Sequence, residues 1–308
     1  MHATGSRARA IPAEQGGRAG NVHTLRTLSN AQHLRNELTQ NKKLLVVGGG
    51  YIGLETAAVA RSLGVEVTLI ERESRILGRV AAAQTAAYFK NLHQENGVQV
   101  REGVGLASLS ETNGRVTAAG LTDGSVVDVD VVVAGIGVIP NVGLAKEAGL
   151  QVADGIVVDR AGRTSDASIY AIGDCACFPY REKIIRLESV QNAVDMANVV
   201  AQAIVGKPAQ YDCLPWFWSD QYTTKLQIAG LNLGYTRVAV RKINDHMLSV
   251  WYYDHEQLIA VDAMNDAKAF MIARRWLSSG QSPDIADIAD DSKDLQALTL
   301  YGKTDLVT

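Results

Sequence analysis

Apolar residues recur along this chain with two different spacings. From Leu25 to Leu38 apolar and polar positions follow a helical period, which predicts a helix. Lys43 to Val47 is a mostly apolar run, of the kind that a parallel sheet buries on both faces. Ile52 to Leu63 returns to the helical period and meets Gly64, a residue suited to the left-handed end of a helix. Glu66 to Ile70 predicts the next strand, and Ala81 to Asn96 a helix ended by Gly97. Strand, helix, strand, helix in this order predicts a doubly wound α/β unit. Met1 to Asn21 has little periodicity and reads as a loop.

The spacing then changes. Val116 to Ala119 and Val126 to Val133 read as strands, preceded by Asn113-Gly114 and Asp123-Gly124. Such dipeptides favour tight hairpin turns with positive φ, so an antiparallel meander is expected beside the parallel sheet. A further unit begins near Gly155, with short strands at Ile156 to Asp159 and Ile169 to Ile172 and a helix at Ser189 to Ile204. From Tyr211 the chain turns aromatic. It alternates through strands at Leu226 to Ala229, Arg237 to Val240, Leu248 to Tyr253 and Leu258 to Val261, then a helix at Ala267 to Leu277.

Length and composition narrow the class. The 308 residues suggest two or three domains, and 47% apolar content suits a globular chain that needs no staple. Lys+Arg 30 against Asp+Glu 33 gives a net charge of −3, which argues against a nucleic-acid binder driven by bulk charge. No apolar run is long enough for a membrane span, and no apolar signal segment opens the chain. Cys175, Cys177 and Cys213 form no Cys-x-x-Cys pair, so inert thiols in a reduced, cytoplasmic protein are expected and no metal is. The six histidines are scattered and read as structural or solvated.

The sharpest motif is Gly48-Gly-Gly50-Tyr51-Ile52-Gly53, a Gly-x-Gly-x-x-Gly between a strand and a helix. Gly48 allows the tight turn, Gly50 lets the backbone approach a pyrophosphate, and Gly53 with Ala57 lets the helix pack close to the sheet. The helix N-terminus supplies N–H groups and partial positive charge to the phosphates. Glu71 ends the next strand about 20 residues on, where a carboxylate accepts hydrogen bonds from an adenosine ribose. That carboxylate favours NAD over NADP, although Arg72 follows it. Tyr51, Ile52 and Gly137, the last in the Gly135-Ile136-Gly137 that closes an apolar run, are counted with the NAD site. Glu55 is expected in the first turn of the helix; it suits either the helix dipole or a contact with the nicotinamide amide.

NAD needs a hydride acceptor, and the sequence offers no metal cluster, cysteine pair or His-Asp arrangement for one. A second cofactor is therefore expected. The strand ending in Gly173-Asp174 is a candidate wall for it, because ligands bind at the carboxyl ends of strands in such sheets. Asp174 suits a polyol, and equally a turn or a helix cap.

Gly48-Gly-Gly-Tyr-Ile-Gly-Leu-Glu55, Thr164-Ser-Asp with Ile169-Tyr-Ala-Ile-Gly-Asp-Cys175, Arg186-Leu-Glu-Ser-Val-Gln-Asn192, and Pro215-Trp-Phe-Trp-Ser-Asp-Gln221 with Lys225-Leu-Gln-Ile-Ala-Gly230 together carry a resemblance. They resemble the FAD-dependent NADH:ferredoxin reductases that serve bacterial cytochromes P450 and ring-hydroxylating dioxygenases. The resemblance covers nearly the whole chain. The dinucleotide motifs are shared among many flavin reductases, and the tryptophan-rich motif is more specific. It implies an α/β fold of doubly wound Rossmann-type nucleotide-binding domains plus an α+β C-terminal domain. It implies FAD and NAD as cofactors and a [2Fe–2S] ferredoxin and NADH as partners. Asp174 would hold the ribityl or pyrophosphate region of FAD, Val190 would place its backbone near the isoalloxazine ring, and Trp218 would lie beside it. Thr4, Arg9 and Arg26 would complete the FAD set, and Glu55 and Trp218 would stand at the reacting centre. Arg274 and Arg275, with Lys268, are the candidate basic patch for an acidic ferredoxin.

Such reductases begin with a glycine fingerprint for the ADP half of FAD, and this chain has none before Gly48. The expected organisation is therefore a remnant of the FAD domain at 1–19, an NAD domain at 20–139, a second FAD part at 140–210 and a C-terminal domain at 211–308. A chain lacking half of its FAD domain is expected to bind NADH, hold little flavin, dissolve poorly and not turn over. The alternatives are a non-catalytic NAD-binding remnant, or another flavin enzyme of the same fold such as a peroxidase or disulfide reductase.

Overall fold

The structure is a computed structural model and describes residues 1–302. The chain divides into two compact units. One holds Met1–Arg7, Val138–Phe217 and Ile228–Leu231; the other holds Ala8–Gly137, Trp218–Gln227 and the described residues from Asn232 to Gly302.

The larger unit opens with β1 (Val22–Thr24) and α1 (Leu28–Glu37), then β2 (Lys43–Val47), α2 (Tyr51–Ser62), β3 (Glu66–Glu71), α3 (Ala83–Glu95) and β4 (Gln99–Glu102). Next come β5 (Leu106–Thr112), β6 (Arg115–Leu121), β7 (Val126–Asp128) and β8 (Val131–Ala134). Five of these strands form a sheet in the order β1-β8-β2-β3-β4, and every neighbouring pair is parallel. Leu44, Leu45 and Val46 at its centre are at most 1% exposed, as a strand covered on both faces requires. Thr27 caps α1, its hydroxyl accepting from the Asn30 N–H at 3.2 Å. Gly64 and Gly97 lie at positive φ just beyond α2 and α3.

Several expectations need correction. The apolar run Val126 to Val133 is two strands in two sheets. Its break is held by Asp130, whose carboxylate accepts from the Lys43 N–H at 2.9 Å and from Lys42 Nζ at 3.1 Å. β7 pairs antiparallel with β6, while β8 enters the parallel sheet. The meander also contains β5, which weak alternation concealed; it joins β6 through Asn113-Gly114, both at positive φ. Met1 to Asn21 is not all loop: Ser6–Ala8 pairs with Val138–Pro140, and Ala13–Gln15 is a 3-10 turn. Ile169 to Ile172 is no strand. It makes only single bridges, Tyr170 with Arg163 and Ala171 with His2.

In the smaller unit, β9 (Ile156–Val157), β10 (Ala176–Tyr180) and β11 (Lys183–Ile185) form a three-stranded sheet. The helix α4 (Val190–Ile204) follows, and the Ser189 hydroxyl caps it by accepting from the Asn192 N–H at 3.1 Å. Its buried side chains, including Met196 and Val200, pack on Ile156, Ala171, Cys175 and Phe178.

The C-terminal stretch builds a five-stranded sheet from β12 (Trp216–Gln221), β13 (Thr224–Gly230), β14 (Arg237–Asn244), β15 (Met247–Asp254) and β16 (Gln257–Met264), in the order β12-β13-β16-β15-β14. Then comes α5 (Ala267–Ser279), which is capped by Asp266 and ends at Gly280 with φ 68°. Trp276 on this helix packs near Trp251 of β15, with ring centroids 5.7 Å apart and both side chains buried. Arg241 on β14 is buried and donates to the carbonyls of Ile288, Asp290, Asp291 and Lys293, which ties down the chain beyond α5.

Candidate dinucleotide site

The turn between β2 and α2 is fixed on every side. Gly48 donates to the Ile70 carbonyl at 2.8 Å and adopts φ 105°, where only glycine is at ease. Gly49 donates to Glu71 Oε2 at 2.7 Å, and its carbonyl accepts from the Leu77 N–H at 2.9 Å. A Cβ on Gly53 would stand 2.0 Å from the Gly48 carbonyl oxygen, so this helix can sit this close only with glycine there. A Cβ on Gly50 would meet nothing within 4 Å. Gly50 therefore faces open space at the positive end of a helix of 12 residues. That space and that field fit the pyrophosphate of a dinucleotide.

Glu71 stands at the end of β3, where the sequence places it, and it has a further task. Oε2 holds Gly49, and Oε1 accepts from the Glu73 N–H at 2.8 Å. Each carboxylate oxygen keeps a second lone pair, so a ribose hydroxyl can still donate to it. Glu71→Ala removes acceptors from two backbone N–H groups. It should destabilise this unit by about 1–3 kcal/mol and weaken NADH binding with it. Urea unfolding of the free protein checks this: an unchanged midpoint would restrict Glu71 to ligand contact alone.

Glu55 is the fifth residue of α2, not in its first turn as expected, because the helix begins at Tyr51. The dipole explanation fades over that distance. The carboxylate is half-buried, and burial pushes its pKa above the usual carboxylate range. It accepts from Ser219 Oγ at 2.6 Å. Sequence reasoning missed this partner and the two buried side chains behind it, Gln221 and His93. The motif Pro215 to Gln221 contained the signal, because a strand puts Ser219 and Gln221 on one face, but not the partners that face meets.

The other candidate residues fall in both units. In the smaller unit, Asp174 follows Gly173 in a short 3-10 turn, and its carboxylate accepts from Ser6 Oγ at 2.9 Å. Arg186 donates to the Asp174 carbonyl at 3.3 Å and pairs with Asp154 and Glu188. Thr4 Oγ1 donates to the Asn141 carbonyl at 2.6 Å. Val190 opens α4 and is 67% exposed, an apolar side chain in solvent at a helix N-terminus. In the larger unit, Arg9 is exposed and donates its N–H to the Gly137 carbonyl at 2.9 Å; Arg26 is exposed just before α1. Trp218 is 42% exposed on β12, next in sequence to Ser219. Within the smaller unit, Asp174 offers an acceptor and Val190 an exposed apolar side chain.

The cysteines are free; Cys175 and Cys177 are buried, and burial pushes the Cys177 thiol up to about 11. Among the described residues no cluster of side chains suits a metal ion, and no helix is long and apolar enough to cross a membrane.

Residues 1–197 match the pyridine nucleotide-disulphide oxidoreductase family, and residues 216–299 match the reductase C-terminal family. The chain belongs to the pyridine nucleotide-disulphide oxidoreductases. Within that family it is similar to putidaredoxin reductase of Pseudomonas putida, 39% identical over 99% of this chain and 74% of the relative. It is also similar to rhodocoxin reductase of Rhodococcus erythropolis, 39% identical over 96% of this chain and 69% of the relative. Among solved structures, the covalent putidaredoxin reductase–putidaredoxin complex matches with a TM-score of 0.92 over 96% of this chain and 72% of that one. The ferredoxin reductase of the CYP199A2 system from Rhodopseudomonas palustris matches with the same score, over 96% of this chain and 73% of that one. The mixed α/β fold, with a parallel nucleotide-binding sheet and a separate C-terminal sheet, is that of the ferredoxin reductases in this family.

Proposed function

We propose that the chain is an NADH:ferredoxin oxidoreductase that passes electrons through FAD to a [2Fe–2S] ferredoxin serving a cytochrome P450 or a ring-hydroxylating dioxygenase. The observation that carries this reading is the 39% identity to putidaredoxin reductase over 99% of the chain, together with the reductase C-terminal match over residues 216–299. FAD, when bound, takes the hydride from NADH and releases electrons singly to an iron–sulfur partner. The chain's own part is binding, orientation and the exclusion of water. In this reading Gly48, Gly50, Tyr51, Ile52, Gly53 and Gly137 hold NAD, and Glu71 favours it over NADP. Glu55 orients the nicotinamide amide. Thr4, Arg9, Arg26, Asp174, Val190 and Trp218 serve FAD. We place the protein in the cytoplasm, a reading supported by its three free thiols.

The test is direct. The purified protein, joined to the N-terminal flavin-binding segment of putidaredoxin reductase and supplied with FAD, is mixed with NADH and a plant-type [2Fe–2S] ferredoxin, and bleaching of the cluster is followed. Reduction by NADH and not by NADPH is expected. NADH binding without any ferredoxin reduction by this joined protein would overturn the assignment.

The proposed docking patch is smaller than its sequence suggests. Lys268 is paired with Asp294 at 2.9 Å, and the Arg274 guanidinium lies 5.5 Å over the Phe270 ring. Lys268 and Arg275 are exposed, and Arg274 is half-buried. Arg275→Glu should slow ferredoxin reduction several-fold at low ionic strength and much less at high salt, because exposed charges are screened over about 8–10 Å near physiological ionic strength. An equal rate at low salt would remove this patch from the interface.

A further inference from the structure

Behind Glu55 runs a line of polar side chains through the interior of the larger unit. Ser219 Oγ lies 2.6 Å from Glu55 Oε1, Gln221 Nε2 lies 3.0 Å from Ser219 Oγ, and His93 Nε2 lies 2.9 Å from Gln221 Oε1. Tyr222 OH lies 3.2 Å from His93 Nδ1 and closes the line. Ser219, Gln221 and His93 are each at most 1% exposed. Three buried polar side chains in series are costly unless each is satisfied, and here each is.

The carboxylate sets the direction of every bond. An ionised Glu55 can only accept, so Ser219 must donate to it. The Ser219 oxygen is then free to accept, and the Gln221 amide nitrogen donates to it. This leaves the Gln221 carbonyl facing His93, so His93 carries its proton on Nε2 and donates. Nδ1 of the neutral ring is then an acceptor, and Tyr222 donates to it. Burial lowers the His93 pKa, which keeps the ring neutral. The Tyr222 ring also packs edge-on against His93, with centroids 5.1 Å apart. Tyr222 sits in the β12–β13 turn at φ 54°, so the hairpin turn itself aims the last donor.

We infer that Ser219, Gln221 and His93 are positioning residues: a one-way chain of hydrogen bonds from Tyr222 that fixes the Glu55 carboxylate for the nicotinamide amide. The chain fills one lone pair of Oε1 and leaves the remaining acceptor sites of the carboxylate for a ligand. It also places the positive ends of aligned dipoles at a half-buried carboxylate, which favours its ionised form. None of these three residues need touch NADH. The inference rests on the reading that Glu55 meets the nicotinamide.

The experiment compares dissociation constants for NADH and for ADP-ribose, which shares the pyrophosphate and ribose of NADH but lacks the nicotinamide. Glu55→Ala should weaken NADH about tenfold and leave ADP-ribose unchanged. Ser219→Ala, Gln221→Leu and His93→Phe should each weaken NADH several-fold, again without effect on ADP-ribose. Ser219→Thr keeps the hydroxyl and should retain wild-type affinity. Glu55→Ala combined with Gln221→Leu should be no worse than Glu55→Ala alone. Nitrogen NMR of the imidazole should show the proton on Nε2 of His93. If Glu55→Ala leaves the NADH to ADP-ribose ratio unchanged, the nicotinamide reading fails and this inference falls with it. If Glu55→Ala shifts the ratio but the Ser219, Gln221 and His93 variants do not, the positioning chain alone is overturned. A proton on Nδ1 would overturn its direction.

Discussion

Gly53→Ala should cost up to about a hundredfold in NADH affinity, about 1–3 kcal/mol, and should also lower the stability of the free protein. The added methyl would stand 2.0 Å from the Gly48 carbonyl oxygen and 3.3 Å from Val46 Cγ1. The first contact is with backbone, so no side chain can swing aside; α2 must lift from β2 or the glycine turn must open. Overpacking of this kind costs about 1–3 kcal/mol, and here it falls on the segment that presents the helix N-terminus to the phosphates. Gly50→Ala is the informative companion. Gly50 has φ −80°, which any residue adopts, and its Cβ would meet nothing within 4 Å. Its stability should be unchanged while NADH binding falls, because the methyl occupies only the ligand's space. Thermal unfolding and NADH titration of both variants separate the two effects. Unweakened binding by Gly50→Ala would mean that the pyrophosphate does not lie against this turn.

The second large effect is on stability against pH. Asp262 on β16 is fully buried and accepts from Thr85 Oγ1 at 2.8 Å and from the Tyr252 hydroxyl. The Tyr252 oxygen in turn accepts from the Ala82 N–H at 2.9 Å, so the group joins the start of α3 to the C-terminal sheet. Burial pushes the Asp262 carboxyl from 3.8 up to about 6, although both hydroxyls favour its charged form. Because the folded value is the higher one, the native state keeps a proton that the unfolded chain loses. Stability should therefore fall as pH rises from about 4 to about 6, then level off. The whole loss is about 3 kcal/mol at 1.4 kcal/mol per pH unit. Asp262→Asn cannot ionise and should lack this term. The stability difference between Asn variant and native protein should move by most of that amount, in the variant's favour, between pH 4 and 7. Urea midpoints at several pH values measure it. Parallel curves for the two proteins would show that Asp262 does not titrate in this range.

The glycine turn is legible in the sequence because its chemistry is local. A tight turn, a close helix and a free helix N-terminus need glycines at fixed spacing, and the flanking strand and helix follow from period alone. Gly64, Gly97 and the Asn113-Gly114 turn are legible for the same reason: positive φ restricts the residue at the position itself. The failures are of one kind. Val126 to Val133 reads as one apolar strand, because hydropathy carries no sign of which sheet a residue joins. The bonds from Asp130 to Lys42 and Lys43 divide it. Ile169 to Ile172 is apolar because it packs on the core of the smaller unit, but its neighbours on either side pair with it at single residues and not along the run that a strand requires.

His93 shows the same limit at the site. In sequence it is one of six scattered histidines, and nothing near it marks a role. Its meaning comes from Gln221 and Tyr222, more than a hundred residues away in the chain, which the β12–β13 hairpin brings to α3. Glu71 likewise carries half of its function in its position at a strand end. The other half, the bond to Gly49, requires the register of β3 against β2. The sequence by itself determined the dinucleotide turn, the order of elements around it and the family to which the motifs point, because backbone conformation and hydrophobic period act over a few residues. Only the tertiary structure decided which polar groups are buried together. A hydrogen bond between Ser219 and Glu55 depends on the packing of distant segments, and no local pattern encodes the partner that burial will supply.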